Sequence, residues 1–250
     1  MEGKKILITG AGSGLGKALS LWLSKLRADL YLLSQSKQEL EDLQAELKST
    51  TKICAIDFSD ETALDKVLLQ LLEIDFIPNV IIHCAGGGFK MHDPLLARQE
   101  FCKLVDINLF SGVQINNKLI PKMVDRQSGV IIHVGSTADS AAHGSVAYNT
   151  AKAALAAYVR SLGKALAASG VVMTGISPGS FIAKDNNMFR FKNDKPVEFE
   201  NYVAALPSKR MTDVAEFFSI VEVLCNQKTP LLSGCMLPLD AGEGMGYTPA

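Results

Sequence analysis

Short apolar runs alternate with longer segments of helical period along most of this 250-residue chain. Seven runs are rich in β-branched or aliphatic residues and are apolar on nearly every position: KKILIT, DLYLLS, TKICAI, NVIIHC, GVIIHVGS, GVVMTGIS and GCMLPL. Strands that are apolar on both faces are typical of a parallel sheet that is covered on both sides. The alternation therefore predicts an α/β fold, a doubly wound parallel sheet of about seven strands with helices on both faces, in one domain over residues 1–250.

The segments between these runs predict amphipathic helices. The clearest covers residues 37–48, where three leucines share one face: Leu40, Leu43 and Leu47. Ser36 and Glu39 at its start match a capping box.

One long stretch, residues 183–208, shows no regular period and mixes polar with aromatic side chains. We expect an irregular loop here. Long loops in compact domains are usually functional or mobile, so this segment is our candidate for a lid over the substrate.

The charge balance limits the possible partners. Lys and Arg number 25 against 26 Asp and Glu, a net charge of -1, which argues against nucleic acid and anionic membranes as partners. The start of the chain lacks a signal-peptide pattern and no apolar run approaches about 18 residues, so we expect a soluble, cytoplasmic protein. The five cysteines are odd in number and contain no CxxC pair, which predicts buried reduced thiols and no metal site.

The first chemical motif is TGAGSGLG, residues 9–16, directly after the first apolar run. A glycine-rich turn before a helix lets backbone N–H groups approach a phosphate, and the positive end of the helix dipole adds to the attraction. Gly10 would form the turn, Gly14 would admit the pyrophosphate, and Gly16 would let helix and strand pack. Taken alone, the motif is also compatible with a plain structural turn, which is the less frequent case.

The second motif is YNTAK, which sets Tyr148 and Lys152 four residues apart in a predicted helix. This spacing puts both side chains on one helix face. A nearby ammonium stabilises a phenolate, so Lys152 would lower the pKa of Tyr148. Ser136 ends the strand VIIHVGS, at the sheet edge where open α/β sheets bind ligands. An isolated YxxxK would more simply be an ordinary tyrosine with a solvated lysine.

Together these motifs resemble the short-chain dehydrogenase/reductase family, over essentially the whole chain and in the family's order. Further segments carry the resemblance: HCAG at residues 83–86, VDINLF with Asn108, SPGS at residues 177–180, and CMLPLDAGEG near the end. The sequence departs from the family at His83 and Cys84, where asparagines are usual, and at Ala183, where a threonine is common.

The resemblance implies a Rossmann-type sheet and hydride transfer between a nicotinamide cofactor and a carbonyl or secondary alcohol. Tyr148 would exchange the proton with the substrate oxygen, and Ser136 would orient that oxygen. Lys152 would also bind the nicotinamide ribose, and Asn108 would hold a water that links Lys152 to solvent. The alternative that we keep open is a catalytically silent dinucleotide-binding sensor or subunit.

The resemblance also implies cofactor contacts along the chain. The expected residues are Gly10, Ser13, Gly14, Leu15, Gly16, Ser34, Lys37, Asp57, Phe58, Ala85, Gly86, Tyr148, Lys152, Pro178, Gly179 and Phe181. An acidic residue at the end of the second strand would favour NAD(H). Ser34 stands there and Lys37 is the only nearby cation, so the sequence favours NADP(H) over NAD(H). For Asp57, helix capping is the alternative role.

The substrate and the assembly state are encoded less directly. Four basic residues lie near one another in the candidate lid against Asp185 and Asp194, and this local excess would suit an anionic group: Lys184, Arg190, Lys192 and Lys195. A small polar or anionic substrate, such as a sugar derivative or a carrier-bound acyl group, fits this pattern, while a merely solvated loop remains the alternative. In the family, the predicted helices over residues 100–126 and 146–168 commonly pair across a two-fold axis, which implies a homodimer or homotetramer.

Overall fold

The computed structural model describes residues 1–244 and contains nine strands in that part of the chain. They are β1 (Lys5–Thr9), β2 (Asp29–Ser34), β3 (Thr51–Ala55), β4 (Val80–His83), β5 (Gly129–Val134), β6 (Val171–Pro178), β7 (Phe181–Ile182), β8 (Thr212–Asp213) and β9 (Met236–Leu239). Seven of them form one parallel sheet in the order β3-β2-β1-β4-β5-β6-β9, and β7 pairs with β8 separately. The predicted parallel sheet is confirmed.

Nine α-helices connect the strands of the described residues. They are α1 (Gly14–Lys25), α2 (Lys37–Glu46), α3 (Glu61–Glu73), α4 (Arg98–Val105), α5 (Ser111–Asp125), α6 (Val146–Leu166), α7 (Asn187–Asp194), α8 (Pro196–Ala205) and α9 (Phe218–Cys225).

The strand order reverses between β1 and β4. The chain moves outward from β1 to β2 and β3, returns to β4 on the other side of β1, and continues outward again. In such doubly wound sheets the crevice beyond the carboxyl ends of the strands at the reversal binds ligands. The fold therefore predicts that residues following β1, β4 and β5 form the ligand site.

The core is divided between the two faces of the sheet. In β1, Leu7 packs into one apolar cluster with α3, α5 and α6, while Ile6 and Ile8 pack into another with α1, α2 and α9. All three side chains are fully buried. Because alternate strand residues point to opposite faces, a strand covered on both sides must be apolar throughout, which is the pattern seen in the sequence.

The helix predicted over residues 100–126 is interrupted. A π-helical turn, Asp106–Phe110, separates α4 from α5. The side-chain amide of Asn108 donates to the Leu104 carbonyl at 2.9 Å, the group that would accept the Asn108 backbone N–H in a regular α-helix. Side-chain competition for a backbone acceptor thus accompanies the wider turn, which a hydrophobic pattern does not reveal.

The prediction of an irregular loop over residues 183–208 is wrong, since most of this segment is helical and forms α7 and α8. The Asn186 side chain caps α7 by accepting from the Phe189 N–H at 2.8 Å, and Pro196 begins α8. α7 buries no residue and α8 buries only Phe199. Both helices are short and contribute little to the buried core, which is why they were not predicted.

Two smaller expectations are also revised. All five cysteines are free thiols, but Cys102 is exposed and only Cys225 is fully buried. The predicted capping box is half formed: Ser36 Oγ accepts from the Glu39 N–H at 3.2 Å, and the Glu39 carboxylate extends elsewhere.

Within residues 1–244, no helix combines the length and the apolar character that crossing a membrane requires. The same residues contain no cluster of three or more side chains suited to hold a metal ion.

Candidate active site

Ser136 lies two residues after the end of β5 and is the N-cap of a short 3-10 turn, Thr137–Asp139. Its hydroxyl accepts a hydrogen bond from the Ala138 N–H at 3.2 Å, which holds the serine at the carboxyl edge of the sheet. The turn is tied to β6 because the Ser177 hydroxyl donates to the Asp139 carboxylate. Sequence reasoning missed Asp139, although an acidic residue three positions after Ser136 was a visible signal.

Lys152 lies in α6 and is 3% exposed. Its Nζ donates to the Val134 carbonyl at the end of β5, at 3.0 Å, and lies 5.6 Å from the centroid of the Tyr148 ring. Burial lowers the pKa of Lys152 to about 8, opposed by the charges of Cys84 and Asp139. The alternative interpretation of Lys152 as a solvated surface lysine is therefore wrong, since its ammonium is buried in the site.

Tyr148 occupies the first turn of α6, one helical turn before Lys152. Burial raises the pKa of Tyr148; the Ser136 hydroxyl lowers it and the Asp139 charge raises it further. We expected Lys152 to lower this pKa, but in this geometry burial dominates. Tyr148 thus keeps its proton at neutral pH, the state that a general acid requires.

Asn108 is 4% exposed and binds the loop that follows β4. Its Oδ1 accepts from the Gly87 N–H and its Nδ2 donates to the Gly87 carbonyl, each at 3.0 Å. A Cβ built on Gly86 would lie 2.6 Å from Asn108 Oδ1 and 3.2 Å from Lys152 Nζ. Asn108 and Lys152 therefore meet at Gly86, where only a glycine fits.

The glycine-rich loop has the shape of a phosphate cradle. Gly10 adopts φ +67° and a Cβ there would lie 2.7 Å from the Ala85 backbone nitrogen, while a Cβ on Gly16 would collide with the Gly10 carbonyl. Gly14 adopts φ +54° at the first position of α1, with Ser13 at the N-cap and Leu15 buried beside it. No acidic residue lies in the first turn of α1. The loop therefore suits the pyrophosphate of a dinucleotide.

The segment before α7 lies against this loop. Asp185 pairs with Lys17 of α1 at 3.6 Å, and Asn186 Cβ would lie 3.6 Å from a Cβ on Gly14. The start of the candidate lid and the phosphate cradle are thus neighbours.

The residues expected on the adenosine side lie after β2 and β3. Ser34 is buried, whereas the Lys37 side chain is 77% exposed and pairs with Glu41 at 3.3 Å. Asp57 accepts from the backbone N–H and hydroxyl of Ser59, and these two hydrogen bonds lower its pKa.

Asp57 therefore closes a turn, and helix capping falls to Asp60, whose carboxylate accepts from the Ala63 N–H at the start of α3. The Phe58 side chain packs in the core, which leaves its backbone for ligand contact.

The Glu243 carboxylate links the turn after β6 to the candidate lid. Ser180, next to Pro178 and Gly179, donates through its backbone N–H and hydroxyl to the Glu243 carboxylate at 2.5 and 2.8 Å. Tyr202 of α8 donates to the same carboxylate at 3.2 Å.

Phe181 lies in β7, where its carbonyl accepts from Asn186 Nδ2 at 2.8 Å. The Ala85 N–H, after β4, donates to Thr9 Oγ1 at 3.1 Å. Glu243 and Thr9 were not expected as contributors, although both lie in segments that carry the resemblance, TGAGSGLG and CMLPLDAGEG.

Below the site, two buried histidines share one asparagine. His83 and His133 stack with ring centroids 4.2 Å apart. Asn116 Oδ1 lies 3.0 Å from His83 Nε2 and Asn116 Nδ2 lies 3.0 Å from His133 Nε2, so His83 donates through Nε2 and His133 accepts through Nε2. Burial lowers the pKa of His83 to about 4 and lowers that of His133 as well. This neutral pair has the structural role expected for His83.

Known proteins are similar to this chain over most of its length. A family model described as short chain dehydrogenase matches residues 4–194. The chain is 30% identical over 192 residues to the 3-oxoacyl-(acyl-carrier-protein) reductase FabG of Rickettsia prowazekii, covering 74% of this chain and 75% of that protein. It is 26% identical over 249 residues to FabG of Vibrio cholerae, covering 98% and 99%.

Solved structures share the fold. The L-sorbose reductase of Gluconobacter frateurii, complexed with NADPH and L-sorbose, superposes with a TM-score of 0.86 at 21% identity, covering 100% of this chain and 98% of that one. Levodione reductase superposes with a TM-score of 0.88 at 23% identity, covering 99% and 100%.

Proposed function

Because the chain belongs to the short-chain dehydrogenase family, we propose that Tyr148 is the acid/base of a hydride transfer. The family consists of oxidoreductases that act on CH–OH groups with NAD(P), so the hydride would pass between a nicotinamide dinucleotide and a carbonyl or secondary alcohol. The observation that carries this proposal is the burial of Lys152 at 3% exposure with its Nζ 5.6 Å from the Tyr148 ring. An ammonium is costly to bury, and such perturbed groups concentrate at functional sites.

The chain's own residues handle the proton and the substrate oxygen. In reduction, the Tyr148 hydroxyl gives its proton to the oxygen of the developing alkoxide; in oxidation, the phenolate removes the proton of the alcohol. The Ser136 hydroxyl donates a hydrogen bond to the same oxygen and stabilises its charge. The bound dinucleotide supplies or accepts the hydride.

Lys152 and Asn108 act on either side of the phenol. The Lys152 ammonium stabilises the phenolate when it forms and donates to the nicotinamide ribose. Asn108 holds the loop at Gly87 and Gly86 against Lys152, and we assign to it the water that connects Lys152 to solvent.

For the substrate we propose a small polar or anionic compound, such as a sugar derivative or a carrier-bound acyl group. One observation that supports this substrate class is the excess of exposed basic residues in the segment around α7. The second is the names of similar proteins, which include a 3-oxoacyl-(acyl-carrier-protein) reductase and an L-sorbose reductase. The lid role of residues 183–208 belongs to the same proposal.

For the assembly we propose a homodimer or homotetramer that pairs α4–α5 and α6 with a second copy. Phe110, at the junction of α4 and α5, is 54% exposed, and Val146 at the start of α6 is 51% exposed. Exposed apolar side chains on the two helices that would pair support this arrangement.

The cofactor choice also belongs to the proposal. The NADP(H) preference expected from the sequence depends on Ser34, which lacks the carboxylate that favours NAD(H). The pairing of Lys37 with Glu41 directs the expected cation away from Ser34, so the proposed function includes NAD(H) as well as NADP(H).

The test is a reductase screen against 3-oxoacyl thioesters, ketoses and small ketones, with NADH and NADPH that carry deuterium at both C4 positions of the nicotinamide. We expect one ketone class to be reduced, with one deuterium found on the carbinol carbon of the product. A product alcohol without deuterium, or no turnover on any class, would contradict the proposal and favour a silent dinucleotide-binding protein.

A further inference from the structure

The carboxylate of Glu39 lies against the glycine-rich loop. A Cβ built on Gly12 would lie 2.5 Å from Glu39 Oε2, 2.6 Å from Ser34 Oγ and 3.3 Å from Glu39 Cβ. Gly12 is therefore the point where α2, the end of β2 and the turn after β1 meet. Any larger residue at Gly12 would displace the carboxylate.

The local structure explains why Glu39 reaches this point. It is the third residue of α2, and its backbone N–H is bound by the N-cap Ser36 at 3.2 Å. In a complete capping box the glutamate would turn back to the N-cap backbone. Here its carboxylate extends to Gly12 instead, and its residue remains exposed to solvent.

No cation within the described residues neutralises this carboxylate by an ion pair. Lys37, two residues earlier, pairs with Glu41 at 3.3 Å and is 77% exposed. Lys17, the nearest basic residue of α1 in sequence to the glycine loop, pairs with Asp185 at 3.6 Å. The surface beside Ser34 therefore carries a free negative charge.

We propose that Glu39 is the specificity-determining residue for the adenosine half of the cofactor, and that it selects NAD(H). This assignment rests on the proposed function. In dinucleotide-binding sheets an acidic residue about 20 positions after the glycine-rich loop usually binds the adenosine ribose, and Glu39 takes that role here. The carboxylate accepts hydrogen bonds from the ribose hydroxyls and repels a 2′-phosphate. The acidic group comes from α2 because Ser34 occupies the strand end.

The test is an equilibrium titration of NADH and NADPH, followed by nicotinamide fluorescence, on the wild-type protein, Glu39→Gln and Glu46→Gln. The last variant removes the same charge at the other end of α2, roughly 10 Å away along the helix. Competition by ADP and by adenosine 2′,5′-bisphosphate repeats the comparison without the nicotinamide.

We expect the wild type to bind NADH at least about tenfold more tightly than NADPH, a difference of about 1.4 kcal/mol. Glu39→Gln should reduce this ratio at least about fivefold, mainly by tightening NADPH, as expected when a like charge is removed. Glu46→Gln should keep the wild-type ratio within about twofold, because solvent screens charges at that separation.

Equal or tighter NADPH binding in the wild type, or an unchanged ratio in Glu39→Gln, would overturn the assignment while leaving the proposed dehydrogenase intact. Failure of both dinucleotides to bind would overturn the assignment and the proposed function together.

Discussion

The side-chain amide of Asn108 holds both backbone groups of Gly87, accepting from its N–H and donating to its carbonyl at 3.0 Å each. Through the same amide it also binds the Leu104 carbonyl inside the π-helical turn. One side chain thus joins the loop after β4 to the helix that crosses the site. The geometry makes Asn108 a positioning residue whose loss would disturb both elements.

We expect Asn108→Ala to lower the free energy of unfolding by about 1–3 kcal/mol, because it leaves the buried Leu104 carbonyl and the half-buried backbone groups of Gly87 without their partner. Turnover should fall as well, since Gly86 packs against Lys152. Urea unfolding and steady-state kinetics measure the two effects. The exposed Asn117 on α5 provides the control, and equal effects of Asn117→Ala would contradict the specific role.

Lys152 should make cofactor binding depend on pH. Its pKa of about 8 means that the ammonium deprotonates as the pH rises through this value, which removes a charged donor. NADH affinity of the wild type should therefore fall between about pH 7 and 9, whereas Lys152→Met should bind weakly at every pH.

Fluorescence titration across this pH range checks the prediction. Lys118→Met is the control and should keep the wild-type profile. Lys118 lies on α5 and pairs with Asp65 of α3. A pH-independent wild type would contradict the role of the ammonium.

The buried histidine pair predicts a loss of stability in acid. In the unfolded chain His83 takes up a proton near pH 6.5, but in the fold its pKa is about 4, so the unfolded state binds more protons between these values. Stability is complete above pH 6.5 and falls toward pH 4, by about 3 kcal/mol for a difference of this size.

His83→Asn should reduce this loss, because the asparagine does not titrate. Urea unfolding at pH 7 and pH 5 provides the measurement, with the exposed His92→Asn as control. If His83→Asn and the wild type lose the same stability, another group causes the acid sensitivity.

The sheet could be predicted from the sequence because burial on both faces makes each strand apolar throughout. Residues such as Ile6 and Leu7 belong to opposite clusters, and both must be apolar. The helices α7 and α8 could not be predicted in the same way, since both are short and only Phe199 among their residues is buried.

The proposed catalytic residues could be found in the sequence because they lie in short motifs with fixed spacing. The burial of Lys152 was not visible, since it depends on β5 and on the loop at Gly86. Glu39 belongs to a helix in the sequence, and only the fold brings its carboxylate to Gly12. Contacts between distant segments therefore account for what the sequence left unpredicted.

The central claim is that the Tyr148 hydroxyl transfers the proton. Tyr148→Phe removes this hydroxyl and keeps the ring, so NADH or NADPH affinity should stay within about twofold while turnover falls by roughly 10² to 10⁴, the usual contribution of a positioned acid/base. Tyr31→Phe removes a hydroxyl from a buried tyrosine of β2 in the core and should retain wild-type turnover. The direct measurement is single-turnover reduction of the best substrate by these two variants and the wild type. The account predicts loss of the reaction in Tyr148→Phe alone, and wild-type rates in that variant would contradict it.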